Sequence, residues 1–310
     1  MTSARVLVTG ATGFLGAHAA AALQAAGAQV AGLVRREPAP APAWEVVVGD
    51  LARAETLACA VGAFRPQVVV HCAAYGVDWR QQDPLMALRI NTEGTLALAI
   101  AARNAGATRF VHVGTAFEYG HSDGLLAEDA PLRPRGIYGA SKAAGSLVLQ
   151  EAALPGLQRV LVRPFGMFGL GEGPHKLLPQ VVRACVAGEA LAMTEGAEWR
   201  DYAPVSWVAR ALALLALAPV DAALPPVVNL CSGEALRVRD VAHRVATCLG
   251  GAHLLRPGTL PSRGLGLARV VGNPGAWQAL AARLGEPSLC EPPPWEPTVL
   301  AMAADVGRMP

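Results

Sequence analysis

An eight-residue run, Thr9-Gly10-Ala11-Thr12-Gly13-Phe14-Leu15-Gly16, limits the possible folds of this chain more than any other feature. It follows an apolar run, Arg5-Val6-Leu7-Val8, and opens an Ala-rich stretch with helical pattern. Glycines at this spacing suit a strand–turn–helix that grips a pyrophosphate. One makes the tight turn, one lets backbone approach the phosphates, and one lets helix and strand pack closely. The free N–H groups and partial positive charge of the helix N-terminus then meet the anion. A lone glycine pattern also arises in ordinary βα turns; the strand before and the helix after supply the confirming context.

The pattern around this run extends the argument. Valine-rich runs without strict alternation occur at 6–8, 29–34, 46–48, 68–71, 110–113 and 160–162, as expected for strands buried on both faces of a parallel sheet. Helical patterns are predicted at 17–26 (stopped by Gly27), 85–105 (stopped by Gly106) and 141–153 (before Pro155). The alternation predicts an α/β fold with a doubly wound parallel Rossmann sheet and right-handed crossovers. Gly and Pro become frequent after about residue 170. The expected division is a dinucleotide-binding domain at 1–168 and a smaller, mostly substrate-binding α/β region at 169–310, from which the chain returns to the first domain. Within it, helices are expected at 177–187, 205–218 and 238–249 and a strand at 227–231. An extended segment at 286–297 should precede a last short helix. The Ala/Pro stretch at 37–43 reads as a surface loop.

Charge and cysteine usage exclude other classes. A net charge of +2 with no basic run gives no footprint for nucleic acid. The six cysteines, at 59, 72, 185, 231, 248 and 290, include no C-x-x-C pair, so neither a metal site nor a disulfide framework is expected. Most are expected to be small buried apolar residues in a reducing compartment. The chain enters a strand pattern at once, without a signal-peptide pattern. Its longest apolar stretch, near 211–218, is shorter than the roughly 18 residues of a membrane span. A cytoplasmic protein without membrane contact is the expectation.

The second strand bears on the choice of dinucleotide. A carboxylate at its end would hold the ribose 2′-hydroxyl of NAD. The strand ends Gly32-Leu33-Val34-Arg35-Arg36, with no carboxylate before Glu37. Forked guanidinium donors match a 2′-phosphate. NADP(H) is therefore preferred, with NAD(H) possible if Arg35 and Arg36 merely face solvent. Asp50, in Gly49-Asp50-Leu51 after the third strand, is a candidate acceptor for the adenine amino group.

Tyr138-Gly139-Ala140-Ser141-Lys142 places a phenol and an ammonium four residues apart at a helix start, on one face. A phenol near pKa 10 is a poor proton donor at neutral pH. A neighbouring ammonium should stabilise the phenolate and lower that value, making Tyr138 a general acid or base.

With these residues the chain resembles the extended short-chain dehydrogenase/reductases, the NAD-dependent epimerase/dehydratase family. The resemblance covers nearly the whole length. Residues 9–16 resemble T-G-x-x-G-F-I/L-G. His71-Cys72-Ala73-Ala74 resembles H-x-A-A, and Asn91-Thr92-Glu93-Gly94-Thr95 resembles N-x-x-G-T. Residues 115–120 resemble S/T-x-x-x-Y-G. Arg163-Pro164-Phe165-Gly166-Met167-Phe168-Gly169 resembles R-P-x-N-V-Y-G, with Gly166 in place of the usual Asn. Arg200-Asp201-Tyr202 resembles R-D-F/Y, and residues 229–233 resemble N-x-x-x-G.

The resemblance implies roles. Thr115 would bind the reacting sugar oxygen and complete a triad with Tyr138 and Lys142, and Lys142 would also bind the nicotinamide ribose. Gly10, Thr12, Gly13, Phe14, Leu15, Gly16, Leu51, Cys72, Ala73, Ala74, Pro164, Phe165 and Gly166 would line the cofactor cleft. Phe117, Glu118 and Arg200 would meet the substrate, Arg200 at the diphosphate of a nucleotide-sugar. Arg200 has the alternative of a salt bridge with Asp201. Glu118 has the alternative of a loop carboxylate. The long helices 85–105 and 141–153 would form a homodimer interface. His175 and Lys176 are weaker phosphate candidates in a loop that covers the substrate, and Trp199 is a candidate for stacking.

Three chemistries are open to such a site: reduction of a ketone, epimerisation with tightly held NAD, and 4,6-dehydration. The resembling dehydratases carry an Asp-Glu pair directly after the threonine, where this chain has Ala116-Phe117. Dehydration is therefore not expected. The T-x-F-E-Y-G wording resembles 4-ketoreductases of nucleotide-activated deoxysugars, and Arg35 and Arg36 favour a consumed NADPH over a recycled NAD. A protein that only binds NADP(H) is the remaining alternative, against which stand Thr115, Tyr138 and Lys142.

Overall fold

The computed structural model describes residues 3–78, 80–261 and 268–308. The chain begins with β1 (Arg5–Thr9), α1 (Phe14–Ala25), β2 (Gln29–Val34), β3 (Glu45–Val48), α2 (Ala54–Phe64) and β4 (Val68–His71). Next, α3 (Pro84–Leu88), a π turn (Arg89–Glu93) and α4 (Gly94–Asn104) run on as one helix, followed by β5 (Arg109–Val113), α5 (Gly136–Glu151) and β6 (Gln158–Pro164). The second half holds β7 (Gly166–Phe168), α6 (Leu177–Ala187), β8 (Leu191–Ala192), β9 (Trp199–Arg200), β10 (Tyr202–Pro204), α7 (Val205–Leu217) and β11 (Val227–Leu230). It ends with β12 (Leu236–Arg237), α8 (Val238–Cys248), β13 (Leu255–Arg256), β14 (Arg269–Val270), α9 (Gly275–Arg283) and α10 (Glu296–Val306).

Seven strands form one parallel sheet in the order β11-β6-β5-β4-β1-β2-β3. This is the doubly wound Rossmann sheet that the sequence predicts. Alternate residues of each strand enter opposite cores. Val6 and Val8 pack with Leu15, Leu23, Leu212 and Trp277 on the side of α1, α7 and α9. Leu7 and Val69 pack with Leu57, Phe64, Leu98 and Leu149 on the side of α2, α4 and α5. Two apolar faces explain why the strands read as unbroken valine runs. A third core joins α6, α8 and α10 through Phe168, Leu178, Val245, Trp295 and Val299.

The winding reverses between β1 and β4, and ligands of such sheets bind outside the carboxyl ends of the strands at that point. The register sets Thr9 beside both Leu33 and His71, His71 beside His112, and Val113 beside Val162. The segments that follow these residues therefore emerge along one edge.

Several expectations are corrected. Helix α5 starts at Gly136, not at 141, because positions 136–140 already have helical backbone with Tyr138 in the first turn. Helices α2 and α9 are not among the elements expected from the sequence. The segment 286–297 is not extended throughout: a 3-10 turn spans Pro287–Leu289, and α10 begins at Glu296. Both the Trp207 and Trp277 indoles donate to the Leu289 carbonyl, which holds that turn against α7 and α9. Of the cysteines only Cys231 is buried; Cys59 is exposed and the other four lie between. Helix Pro84–Asn104 is long and apolar enough to cross a membrane by length and composition, a property that no unbroken apolar run reveals. Its Leu98, Ala99 and Ala102 are fully buried in the core beside α2.

Candidate active site

The Gly-rich turn forms the first wall. Gly10 has φ 67°, and a Cβ there would lie 2.9 Å from the Ala73 nitrogen. A Cβ on Gly16 would sit 2.0 Å from the Gly10 carbonyl oxygen. These two glycines are required by close packing of turn, strand and helix. Gly13 caps α1 with no side-chain hydrogen bond, and a Cβ there would meet only the Gly10 carbonyl, at 3.2 Å. Thr12 and Gly13 are exposed, whereas Leu15 and Gly16 are buried beneath them. The first-turn amides of α1 thus face outward over a small-residue surface.

Cys72, Ala73 and Ala74 follow β4 beside this turn. The Ala73 amide donates to Thr9 Oγ1 (3.1 Å), and the His71 ring bridges Thr9 Oγ1 (2.6 Å) and Thr95 Oγ1 (3.0 Å). Thr95 donates onward to the Asn91 carbonyl (2.8 Å), so it accepts from His71 Nε2–H. Burial keeps this ring neutral, well below its ordinary pKa. Arg35 and Arg36 lie exposed at the end of β2, at the same sheet edge. Asp50 Oδ1 accepts from the Ala52 amide (3.0 Å), and Leu51 is buried where a Cβ on Gly94 would lie 2.6 Å from its carbonyl.

The second wall holds Thr115, Tyr138 and Lys142. Thr115 follows β5 and caps a 3-10 turn, Ala116–Glu118, accepting from the Phe117 amide (3.3 Å). Tyr138, in the first turn of α5, lies close enough to Thr115 for that side chain to favour its phenolate. Lys142 lies one turn on, 1% exposed, and its Nζ has no hydrogen-bond partner. Helix α5 comes this close because two of its residues lack a Cβ. One on Gly139 would lie 2.7 Å from the Phe117 carbonyl, and one on Gly145 2.1 Å from the Asn91 carbonyl. Asn91 sits in the π turn, a distortion frequent at functional sites. It donates to Ser141 Oγ (2.9 Å) and the Tyr75 carbonyl (2.8 Å) and accepts from the Tyr75 amide (2.8 Å). Its motif is visible in the sequence, but its role as a brace between helices is not.

Loss of water dominates the electrostatics of the pair. Burial pushes Lys142 down to about 8, against the pull of Glu118 and Cys72. Burial pushes Tyr138 up to about 12, although the Thr115 side chain favours the phenolate. This corrects the expected lowering of Tyr138: desolvation of the phenolate, with the Glu118 charge acting in the same direction, outweighs the help from Thr115. At neutral pH both groups hold their protons. An ammonium buried without a partner, beside open helix amides and a small-residue floor, fits the ribose hydroxyls and pyrophosphate of a nicotinamide dinucleotide.

The third wall comes from the second half. Strand β10 pairs with β7, setting Tyr202 beside Gly166. A Cβ on Gly166 would lie 2.5 Å from the Asp201 carbonyl and 2.9 Å from the Tyr202 ring, so the ring occupies the space of the usual Asn. Pro164 and Phe165 are buried, Phe165 in a small core with Tyr119 and Cys231. The Asp201 carboxylate accepts from the Ser232, Gly233 and Gly272 amides (2.8, 2.9 and 3.2 Å) and from Ser232 Oγ (2.7 Å). Asp201 is thus a backbone clasp, not the salt-bridge partner considered for Arg200. Arg200 Nη1 donates to the Trp199 carbonyl (2.8 Å). The Trp199 ring lies under the guanidinium groups of Arg237 and Arg269, at 5.0 and 5.7 Å. Phe117 is half-buried. Lys176 Nζ donates to the Val77 carbonyl (3.0 Å), which ties its loop to the segment after β4, and His175 is half-buried in that loop.

Glu118 requires a correction. It is fully buried, with Oε1 accepting from the Thr115 amide (2.9 Å) and Oε2 from Arg163 Nε (2.9 Å). Both oxygens are spent inside the protein, so it is not the substrate contact expected. The ion pair with Arg163 joins residues 45 apart in sequence, and no local pattern announces it.

The model of the NAD dependent epimerase/dehydratase family matches residues 6–231. UDP-glucose 4-epimerase of Azospirillum brasilense is 33% identical over 275 residues, 80% of this chain and 78% of its own length. dTDP-6-deoxy-L-talose 4-dehydrogenase (NAD(P)(+)) of Kitasatospora kifunensis is 33% identical over 250 residues, 77% of each chain. Among solved structures, MoeE5 in complex with UDP-glucose and NAD has a TM-score of 0.81 at 27% identity, covering 98% of both chains.

Proposed function

The chain belongs to the NAD dependent epimerase/dehydratase family, and from that membership we propose that it is a nucleotide-sugar ketoreductase. In this reading it uses NADPH to reduce a keto group, at C4, of a nucleotide-activated deoxysugar. The bound nicotinamide supplies the hydride. Thr115 hydrogen-bonds the carbonyl oxygen, and Tyr138 gives that oxygen its proton as charge develops there. Lys142 holds the nicotinamide ribose and stabilises the phenolate left behind. A pair that carries both protons at neutral pH suits the donating direction.

The observation that carries the reductive reading is the end of β2, where Arg35 and Arg36 are exposed and no carboxylate precedes Glu37. A consumed cofactor is drawn from the NADPH pool, whereas a recycled one gains nothing from it. Elimination is disfavoured because Ala116 and Phe117 transfer no proton and Glu118 is sealed against Arg163. A second reading, an epimerase that keeps NAD bound, is favoured by the similarity to UDP-glucose 4-epimerase and by the NAD in MoeE5. Arg200 reaches the substrate diphosphate in either case. Exposed Leu85, Leu88, Ile100, Leu147 and Val148, on the helices 84–104 and 136–151, support a homodimer through these helices. A cytoplasmic location belongs to the same reading.

Fluorescence titration with NADPH and NADH, followed by absorbance assays on nucleotide-linked 4-keto-6-deoxysugars, tests the proposal. Preferential NADPH binding with stoichiometric consumption is expected. Tight NAD binding with interconversion of sugar epimers and no net consumption would replace it by the epimerase.

A further inference from the structure

The Glu118–Arg163 pair is the most completely buried ion pair among the described residues, with side chains 0% and 4% exposed. Buried pairs recover little more than their desolvation cost, so such a pair is weak evidence of a purely stabilising role. What surrounds it is more specific. Arg163 Nη1 donates to the Tyr119 hydroxyl (2.8 Å), which donates to Asn229 Oδ1 (2.8 Å), and the Arg163 guanidinium covers the Tyr119 ring at 4.5 Å. Arg163 is thereby fixed between β6 and β11. Glu118 transmits that fixed point to one atom of the triad segment, the Thr115 amide. Gly114 completes the arrangement: a Cβ there would lie 2.2 Å from Glu118 Oε1, so only glycine leaves room for the carboxylate.

We propose that Glu118 is a positioning residue: anchored by Arg163, it clamps the Thr115 backbone and so fixes where the Thr115 hydroxyl stands, and its buried carboxylate is the fixed negative charge behind Thr115, Tyr138 and Lys142. The inference rests on the reading that Thr115, Tyr138 and Lys142 act together, but not on the direction of the reaction. Glu118 is among the groups that pull the Lys142 value upward and raise that of Tyr138. The other titratable groups beside Lys142 come from β4, the residue after it and β5: His71 and His112 are neutral rings, and Cys72, pushed up to about 12 by burial, is a neutral thiol while Lys142 titrates. Arg163 stands behind Glu118 on β6. Lysine rather than arginine is needed at 142 for such tuning, since a guanidinium does not give up its proton. Of the 26 Lys and Arg residues, only Lys142 and Lys176 are lysine.

That scarcity supplies the test. The protein labelled with ¹⁵N-lysine gives two side-chain Nζ signals, assigned with Lys176→Arg, and each is titrated by NMR without any substrate. In the wild type Lys142 should titrate near 8. In Glu118→Gln its midpoint should fall by about one pH unit, the scale on which a nearby opposite charge acts. With an accepted ketosugar, kcat should drop about tenfold or more while KM stays within about twofold, as for displacement of a reacting group. The alkaline limb of the kcat profile should move with the Lys142 midpoint. The carboxamide of Glu118→Gln turns an N–H donor toward either Arg163 or the Thr115 amide, so Glu118→Gln/Arg163→Gln, an uncharged hydrogen-bonding pair, is the second variant. An unchanged Lys142 midpoint in either folded variant would overturn the proposal. So would a shifted midpoint with unaltered kcat. If no ketosugar is turned over by the wild type, the ketoreductase reading fails while the lysine titration still decides this one.

Discussion

The two lips of the cleft are made of different material. The lip at α1 is backbone: a positive-φ glycine, a glycine packed against a carbonyl, and helix amides left open at Gly13. The lip that the proposed function draws from the second half is side chain: Arg200 and Trp199 on a two-residue strand, with Arg237 and Arg269 against the indole. A backbone lip suits a group common to every turnover, because amides offer one geometry. A side-chain lip can be exchanged to suit different sugars and bases. In the proposed reading the triad lies between them, and the Arg163–Glu118 pair beneath, rather than either lip, sets its position.

This division predicts separable losses. Tyr138→Phe removes the proton donor and nothing from either lip. Turnover should fall by about 10²–10⁴-fold, and dinucleotide affinity, measured by fluorescence, should hold within about twofold. Arg200→Ala strikes only the side-chain lip. KM for the nucleotide-sugar should rise about thirtyfold or more, the scale of truncating a charged hydrogen-bonded contact, with NADPH affinity intact. Arg35→Ala/Arg36→Ala strikes only the other side. NADPH affinity should weaken about tenfold, as for loss of a partly exposed charge-assisted contact, with NADH affinity and KM for the sugar unmoved. Crossed effects between the last two variants would break the comparison.

The smallest expected effect sharpens it. Glu172, in the loop between β7 and α6, is pushed up to about 8 by burial, against Lys176, and its Oε2 has no partner. Its folded value lies above the unfolded one, so the folded protein binds the extra proton between about 4.5 and 8. Stability is therefore lost as pH rises through that window. Glu172→Gln should leave Tm unchanged at pH 4 and raise it above pH 8 by about 2 °C, a value discounted for water reaching the loop. A Tm difference independent of pH would show that the carboxyl is solvated and this loop open.

The same contrast explains what is legible in the sequence. The Gly-rich turn, the valine runs and the Tyr138–Lys142 spacing are local patterns, each dictated by one element's geometry. The doubly wound sheet follows from them. Helices α2 and α9 escape such reading because their stretches, Ala54–Phe64 and Gly275–Arg283, are short and are held by packing, α2 against the sheet and α4 and α9 against the Leu289 turn. Glu118 reads as a substrate contact because it stands three residues after Thr115. Only Arg163, brought beside it by pairing of β5 with β6, turns it inward. Asp201 likewise looks local beside Arg200 but bonds to amides 31 and more residues away. Networks of this kind are set by topology, and sequence spacing does not record them.

In the ketoreductase reading, hydride leaves NADPH for good and ends on the sugar. Incubation of the purified protein with NADPH deuterated at C4 of the nicotinamide and a nucleotide-linked 4-keto-6-deoxysugar, followed by mass spectrometry and NMR of the product, tests it directly. One deuterium on the reduced carbon is expected for each NADPH consumed. Epimerised sugar with no deuterium and undiminished NADPH would contradict it.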